Sequence, residues 1–309
     1  MVMRRASADT DQAARSLLQK AIRRGRADIA TAVFRFLATN KTEFNWMRSR
    51  LAVFTFEEAW PYGRHVTFSK SEDENLRHVL ALCSLQKNKD AAGLGSLAYA
   101  LTEGDHSVLR DDDGDWYIRA VARALGEKDK FRAWARDEAL RLDPDQALVV
   151  SNAIEGSKKA GWPWDKAFTY AAALLAIKHP VPGLADAPLS AADSFPFWVA
   201  IDKHTQQGKE AIRRAAKDLG IPANSALWLS FYFESATCQS LAPSPWWDRE
   251  RSWRLGKLGL PEVDGRDMWG QLRTLVEGYL ARDAEALSDR VLAPPERNSH
   301  TDPSQMRLC

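Results

Sequence analysis

Apolar residues recur at three- and four-residue intervals along most of this chain, which is typical of amphipathic helices. The first such stripe holds Leu17, Leu18, Ala21 and Ile22, and Gly25 ends it. The same spacing returns between residues that start or stop helices. Helices are predicted at residues 10–24, 28–37, 44–60, 71–85, 94–101, 116–125, 130–142, 164–178, 210–219, 226–233, 246–255, 264–281 and 283–291, with one more starting at 143.

These signals predict an all-α protein. Ser71 and Glu74 form a capping box, and Asp143 with Pro144 is typical of an N-cap followed by the first helical residue. No segment shows the alternation of a convincing strand, and no Asn-Gly hairpin occurs. Nothing recurs in register as a structural repeat would. We expect an irregular multi-helix bundle or helical array of about a dozen helices, with mostly antiparallel neighbours.

Residues 179–188 contain three prolines and one glycine, a composition typical of a linker. They divide the chain into a predicted N-terminal helical domain, residues 1–178, and a predicted C-terminal helical domain, residues 189–292. The last residues, 293–309, have no apolar periodicity and are predicted to be a flexible tail.

The amino-acid composition indicates the class of protein and its cellular compartment. The content of 45% hydrophobic and 27% charged residues is typical of a folded, soluble protein, and no apolar run is long enough for a membrane span. The three cysteines are an odd number at unrelated spacings, which favours a reducing compartment over a disulfide framework. The first residues lack the apolar region of a secretory signal. We expect a cytoplasmic protein without a membrane partner.

Several kinds of active site lack their motif. Gly93 and Gly95 have neither the spacing nor the lysine of a phosphate-binding loop, so nucleotide hydrolysis is not expected. The acidic run 111–115 places its glycine at the wrong position for a calcium loop, which favours a solvated loop. The six histidines form no pair with metal-ligand spacing, so no metal site is predicted. No cofactor and no complete catalytic signature are predicted, and a non-catalytic role is favoured over an enzyme.

We interpret the chain as organised around residues 195–236, where a polar run separates two apolar segments. Seven of the eight residues at 202–209 are polar. A buried polar group without a partner costs roughly 1–3 kcal/mol, so these side chains must be paired, exposed or functional. This run is the first candidate site in the sequence.

Two interpretations of the run remain open. In the first it is a corner between helices, where Asp202 or Thr205 caps the next helix. In the second it binds a ligand or phosphate through the amides of a helix start and nearby lysines, and His204 beside Asp202 is a further candidate for a general base. The candidate ligand-binding residues are Asp202, Lys203, His204, Thr205 and Lys209.

Arginines mixed with tryptophans suggest a second kind of site. Such mixtures can stack bases and hold phosphates. The net charge is only +2, so nucleic-acid binding would require a local patch, and scattered solvated arginines are the alternative. The candidate nucleic-acid-binding residues are Arg23, Arg24, Arg48, Arg50, Arg213, Arg214, Arg249, Arg251 and Arg254.

Three stretches near the N-terminus resemble the helical collar of clamp-loader-like AAA+ ATPases, of the replication-associated recombination protein type. They are residues 17–25, 30–37 and 46–58, the last containing Arg48, Arg50 and the pair Glu57-Glu58. The resemblance covers roughly residues 12–125, and the whole ATPase module is missing. It implies a part that associates with DNA or forms oligomers, and it carries over no catalytic residue.

The predicted function is therefore a non-catalytic helical binding protein associated with DNA replication, recombination or repair. Its expected partners are DNA, a separate replication or repair ATPase, and further copies of the same chain. One alternative is a helical enzyme acting on nucleic acid, such as a base-excising glycosylase that uses Asp202 or His204. The other alternative is a protein-interaction scaffold with no role in nucleic-acid binding.

Overall fold

The computed structural model describes residues 6–189 and 195–293, and within these ranges the protein is all-α, as predicted. The described chain contains thirteen α-helices, three short 3-10 helices, one π-helical turn and isolated bridge pairs, but no β-strand. The α-helices are α1 (Ala6–Arg23), α2 (Ala27–Ala38), α3 (Lys41–Glu58), α4 (Glu72–Ser84), α5 (Asp90–Thr102), α6 (Gly114–Gly126), α7 (Lys128–Ala139), α8 (Pro144–Lys159), α9 (Pro163–Lys178), α10 (Gln206–Asp218), α11 (Ala223–Ser230), α12 (Pro245–Lys257) and α13 (Glu262–Leu292).

Local signals place most helix starts. The side chain of Ser71 accepts a hydrogen bond from the N–H of Glu74 at 3.3 Å, and the carboxylate of Asp143 caps α8, so both N-caps are confirmed. The other half of the predicted capping box is wrong, because the N–H of Ser71 donates to Oγ of Ser69 at 2.9 Å and not to Glu74. One predicted boundary is wrong. Residues 264–281 and 283–291 form the single helix α13, because no glycine or proline interrupts it there and Asp283 lies exposed on its surface.

The buried apolar side chains form two clusters on either side of α3. Met47, Leu51 and Phe54 belong to the first cluster, which α3 shares with α1, α2, α4 and the helices α10–α13. Ala52 and Phe56 belong to the second cluster, which is built mainly from α5–α9. Because α3 is buried on two sides, the centre of its sequence is continuously apolar and has the composition of a strand.

The predicted linker runs in extended form beside residues 84–86. The N–H of Gln86 donates to the carbonyl oxygen of Ala185 at 2.9 Å, and the N–H of Ala187 donates to that of Ser84 at 2.7 Å. The first apolar cluster contains side chains from both sides of this segment. The division into domains stays a prediction, and residues 294–309 of the predicted tail lie outside the described residues.

None of the helices in residues 6–189 and 195–293 combines the length and the apolar character that a membrane span needs.

Gly25 ends α1 in a conformation that other residues rarely adopt. Its φ is 62°, in the left-handed region, and an added Cβ would lie 2.1 Å from Oε1 of Gln239 and 3.4 Å from the carbonyl oxygen of Cys83. The N–H of Gln239 in turn donates to the carbonyl oxygen of Arg23 at 3.1 Å. The end of α1 is therefore fixed against a distant segment of the chain.

Gly25→Ala is expected to lower the free energy of unfolding by about 1–2 kcal/mol, because an L side chain is strained in the left-handed region. Gly270→Ala is the matched control: this residue lies exposed in α13 with open space around its Cα, so alanine should raise stability by about 0.5–1 kcal/mol. Urea unfolding measures both changes. A Gly25→Ala variant as stable as the parent would contradict the prediction.

Candidate functional site

The entry to α10 is a tight corner held by Thr205. Its Oγ1 accepts a hydrogen bond from the N–H of Gly208 at 3.0 Å and donates to the carbonyl oxygen of Asp202 at 3.0 Å. A Cβ at position 208 would lie 2.1 Å from that carbonyl oxygen, so glycine is required there. Thr205, and not Asp202, is therefore the N-cap of α10.

Asp202 is buried, with both carboxylate oxygens engaged. Oδ2 accepts a hydrogen bond from Nζ of Lys20 at 2.5 Å, and this ammonium also donates to Oγ of Ser16 at 2.9 Å. Oδ1 accepts from the backbone N–H of His204 at 2.9 Å and lies 3.0 Å from its Nδ1. Burial favours a higher pKa for Asp202, but the charges of Lys20 and His204 outweigh it and hold that pKa well below its usual range. The ionised carboxylate thus joins α1 to the polar run.

His204 lies on the outer side of this pair. Its side chain is 53% exposed, and Asp202 is its hydrogen-bond partner among the described residues. An ionised carboxylate at Nδ1 favours the tautomer with a proton on that nitrogen, which leaves Nε2 as the atom available to a ligand. No hydroxyl or thiol of the described chain is hydrogen-bonded to the imidazole, so it is not paired with a nucleophile.

Lys203 turns towards aromatic side chains. Its Nζ lies 3.8 Å from the ring centroid of Trp228 and 4.2 Å from that of Phe231. Burial is the main cause that lowers the pKa of Lys203 to about 8, against the opposing attraction of Asp202 and Glu250. No carboxylate of the described residues lies within ion-pair distance of this ammonium.

Trp228 also contacts a second cation. The guanidinium carbon of Arg254 lies 4.1 Å from the ring centroid of Trp228. Nη2 of Arg254 donates a hydrogen bond to Oε1 of Glu250 at 3.3 Å. The hydroxyl of Tyr232 donates to the same oxygen at 2.6 Å, whereas Oε2 of this buried glutamate has no hydrogen-bond partner in the described part of the chain. Two cations thus contact one half-buried indole beside a carboxylate that retains acceptor capacity.

The π-helical turn Phe231–Ser235 gives this site its shape. It continues α11 without a break and places Phe231 against Lys203 and Tyr232 against Glu250. A regular α-helix would rotate these side chains differently, because the extra residue of a π turn shifts the helical register. Turns of this kind occur often at functional sites.

A line of cations follows the corner along the outer face of α10. Lys209, Arg213 and Lys217 are spaced by four residues, a rise of about 6 Å each. None of the three has a carboxylate within ion-pair distance among the described residues, and the nearby Glu210 accepts a hydrogen bond from Gln206. The donors of these three cations are therefore not engaged by a carboxylate of the described chain, although Glu210 and Asp218 carry negative charge on the same helix.

Most of the other predicted arginines pair with carboxylates. Arg23 is buried against Glu58, and Arg249 binds Asp115 of the acidic run. Arg48 instead donates to the carbonyl oxygen of Ser69. The further pairs are Arg24 with Glu234, Arg50 with Asp165, Arg251 with Asp248 and Glu262, and Arg254 with Glu250.

The structure thus associates three of the nine predicted arginines with the polar run. Arg213 and Arg214 lie on α10, which begins within the run, and the guanidinium carbon of Arg214 lies 4.1 Å from the ring centroid of Tyr279. Arg254 is connected to the run through the ring of Trp228. A role of any of the nine in nucleic-acid binding stays a prediction.

Sequence reasoning missed Lys20, Trp228 and Glu250. A signal existed for Lys20, since it lies beside Leu17 and Ala21 on the apolar stripe of α1, where a lysine needs a buried partner. No local pattern identifies Glu250 or Trp228, because they reach Lys203 only through the packing of α11 and α12.

Within the described ranges, no group of three histidine, cysteine, aspartate or glutamate side chains is arranged to hold a metal ion. Comparisons with known proteins find no match: no family model, no curated protein and no solved structure is similar to this chain. The resemblance to the clamp-loader collar therefore stays a prediction.

Asp202→Ala is expected to lower the free energy of unfolding by about 3–5 kcal/mol, because it leaves the ammonium of Lys20 buried without a partner. The double variant Lys20→Met with Asp202→Leu should recover most of this loss, because it removes both charges together. Asp129→Ala is the control, since this aspartate is almost fully exposed beside Arg132. If urea unfolding gave the single and the double variant the same loss of unfolding free energy, this would argue against a coupled ion pair between Lys20 and Asp202.

Lys203 should make stability depend on pH between about 8 and 10.5, its folded and ordinary pKa values. In that window the unfolded chain still holds a proton that the folded protein has released, so stability rises with pH, by up to about 3 kcal/mol. Lys203→Met should remove the share of this rise that Lys203 causes, leaving that of the buried Lys20 and Lys87, whereas Lys128→Met, at an exposed lysine of α7, should retain the full rise. Urea unfolding across the window tests this, and a pH-independent difference between the parent and Lys203→Met would contradict it.

Proposed function

We propose that this chain is a non-catalytic helical binding protein that holds single-stranded nucleic acid, in the setting of DNA replication, recombination or repair. The observation that carries the proposal is the line of Lys209, Arg213 and Lys217 on α10, without carboxylate partners among the described residues. Elsewhere most of the predicted arginines are paired with acids.

Electrostatics support a phosphate backbone as the ligand of this line. Nucleic-acid strands carry one phosphate per 3.4 Å of helix axis in B-DNA, and unpaired lysines and arginines bind them by releasing condensed counterions. Cations about 6 Å apart along α10 can each contact a different phosphate of one flexible single strand. The overall charge of +2 does not oppose this, because the binding depends on the local field.

The aromatic site at the start of α10 supports a strand with unpaired bases. Lys203 and Arg254 both lie over the half-buried ring of Trp228, so a base that stacks on this ring takes the place of one of them, and the displaced cation is then free to contact a phosphate. His204 adds an exposed Nε2 next to Lys203. A double strand keeps its bases stacked inside and cannot use this ring without being opened.

A non-catalytic role fits the corner better than base excision does. Both oxygens of Asp202 are engaged by Lys20 and His204, so this carboxylate orients its neighbours and is not free to take a proton from water. The alternative of a base-excising enzyme rests on the exposed Nε2 of His204. We extend the proposal to a cytoplasmic location, a separate replication or repair ATPase as partner and association between copies, on the collar resemblance and the sequence composition alone.

The proposal predicts a salt-dependent affinity for a fluorescent single-stranded oligonucleotide, measured by anisotropy. Each phosphate contact adds about 0.7 to the slope of log affinity against log salt, so replacing Lys209, Arg213 and Lys217 by alanine should reduce the slope by about 2. Arg77, Lys128 and Arg136 replaced together by alanine are the matched control, because they are exposed cations on α4 and α7 that form no ion pair with the described residues.

A flat slope in the parent protein would refute the nucleic-acid proposal, and an equal loss in both triple variants would refute the role of α10. Excision of a base from the oligonucleotide, lost in His204→Ala, would instead support the enzyme alternative.

A further inference from the structure

A surface groove of about 470 Å³ lies between α6 and α7, and none of its lining residues belongs to the site at α10. Its size is that of a ligand pocket. Phe131 and Leu174 form the buried floor, and Ala120 and Ala124 leave space above it. Trp116 on α6 and Trp134 on α7 complete the apolar lining, and Trp116 is 49% exposed.

The spacing of these residues creates the groove. Trp116, Ala120 and Ala124 follow each other at four-residue intervals on α6, and Phe131 and Trp134 lie on one face of α7. In a closed pair of helices, side chains of one stripe fill the spaces of the other. Alanines cannot do so, and the stripe therefore remains open over about 12 Å, or roughly two helical turns.

The rim of the groove is positively charged. Arg123 and Lys130 share one carboxylate, Glu127, at 3.3 and 3.4 Å. Arg119 is exposed and forms no ion pair with the described residues, and Lys178 lies 5.1 Å from the ring centroid of Trp116. Four cations face one carboxylate, so the field favours a negatively charged occupant.

We propose that this groove binds an acidic amphipathic helix of a partner protein. Such a helix presents apolar side chains at positions i, i+4 and i+7, which matches two turns of open stripe between Trp116 and Trp134. Its flanking carboxylates pair with Arg119, Arg123 and Lys130, and its backbone hydrogen bonds are satisfied internally. A single-stranded nucleic acid fits less well, because Trp116 is the exposed ring of the groove and the stripe beyond it is lined by alanines, which cannot stack a base.

The test uses a fluorescein-labelled, end-capped synthetic peptide of about 18 residues with leucines at i, i+4, i+7 and i+11 and glutamates beside them. Fluorescence anisotropy measures its binding to the full chain. We expect saturable binding, and a matched peptide with lysine in place of every glutamate should bind at least about tenfold more weakly. Similar affinities for the two peptides, or no saturable binding of the acidic peptide, would overturn the proposal.

Variants of the protein locate the binding. Arg119→Glu with Arg123→Glu, two exposed positions, should weaken binding of the acidic peptide by at least about tenfold, with a change in melting temperature no larger than that of the control below, and Trp116→Ala should weaken binding as well. Arg136→Glu with Arg141→Glu is the control, with the same change of charge away from the groove. Unchanged affinity in the Arg119 and Arg123 variant would overturn the proposal.

Two further outcomes concern other occupants. Displacement of the peptide by a single-stranded oligonucleotide would assign the groove to nucleic acid, and a dimer in light scattering that Trp116→Ala dissociates would assign it to a second copy; both overturn the proposal. The triple alanine variant of α10 should bind the peptide as the parent does. This last result separates the groove from the function proposed for α10.

Discussion

The ion pairs that α1 buries determine where the candidate site lies. Lys20 pairs with Asp202, and Arg23 pairs with Glu57 and Glu58 at the end of α3. Glu58 is fully buried, and although burial favours a higher pKa, Arg23 and Lys89 lower that pKa to about 2. A buried charge without its partner is strongly destabilising, so Lys20 fixes the polar run against α1, and Arg23 fixes α1 against the end of α3.

The helices could be predicted from the sequence because their signals are local. Apolar spacing, the Ser71 cap and the Asp143 cap each depend on residues within one or two turns. The boundary error within α13 has the same origin, since Asp283 is a good cap in isolation and only an exposed helix residue in context.

The partners of charged residues could not be predicted, because they come from distant parts of the chain. Asp202 meets Lys20 across 182 positions, and Arg249 meets Asp115 across 134. The sequence alone does not distinguish arginines that form ion pairs from those that do not. In the folded protein most of the predicted arginines pair with carboxylates, whereas the cations of α10 have no carboxylate partner in the described chain. The groove was missed for a related reason: a stripe with Trp116 and Ala120 on α6 predicts core, and nothing local indicates that no neighbouring helix covers it.

The two interpretations of residues 202–209 apply to different side chains of the same run. Thr205 and Asp202 point inward and form the corner, with their polar atoms used by Gly208, Lys20 and His204. Lys203 and His204 keep ligating atoms that the corner does not use, and a corner alone would not require them. Under the proposed function, the rigid turn built by Thr205 and Asp202 holds Lys203 over Trp228 and His204 at the surface in a fixed geometry, which would lower the entropy lost on binding a ligand.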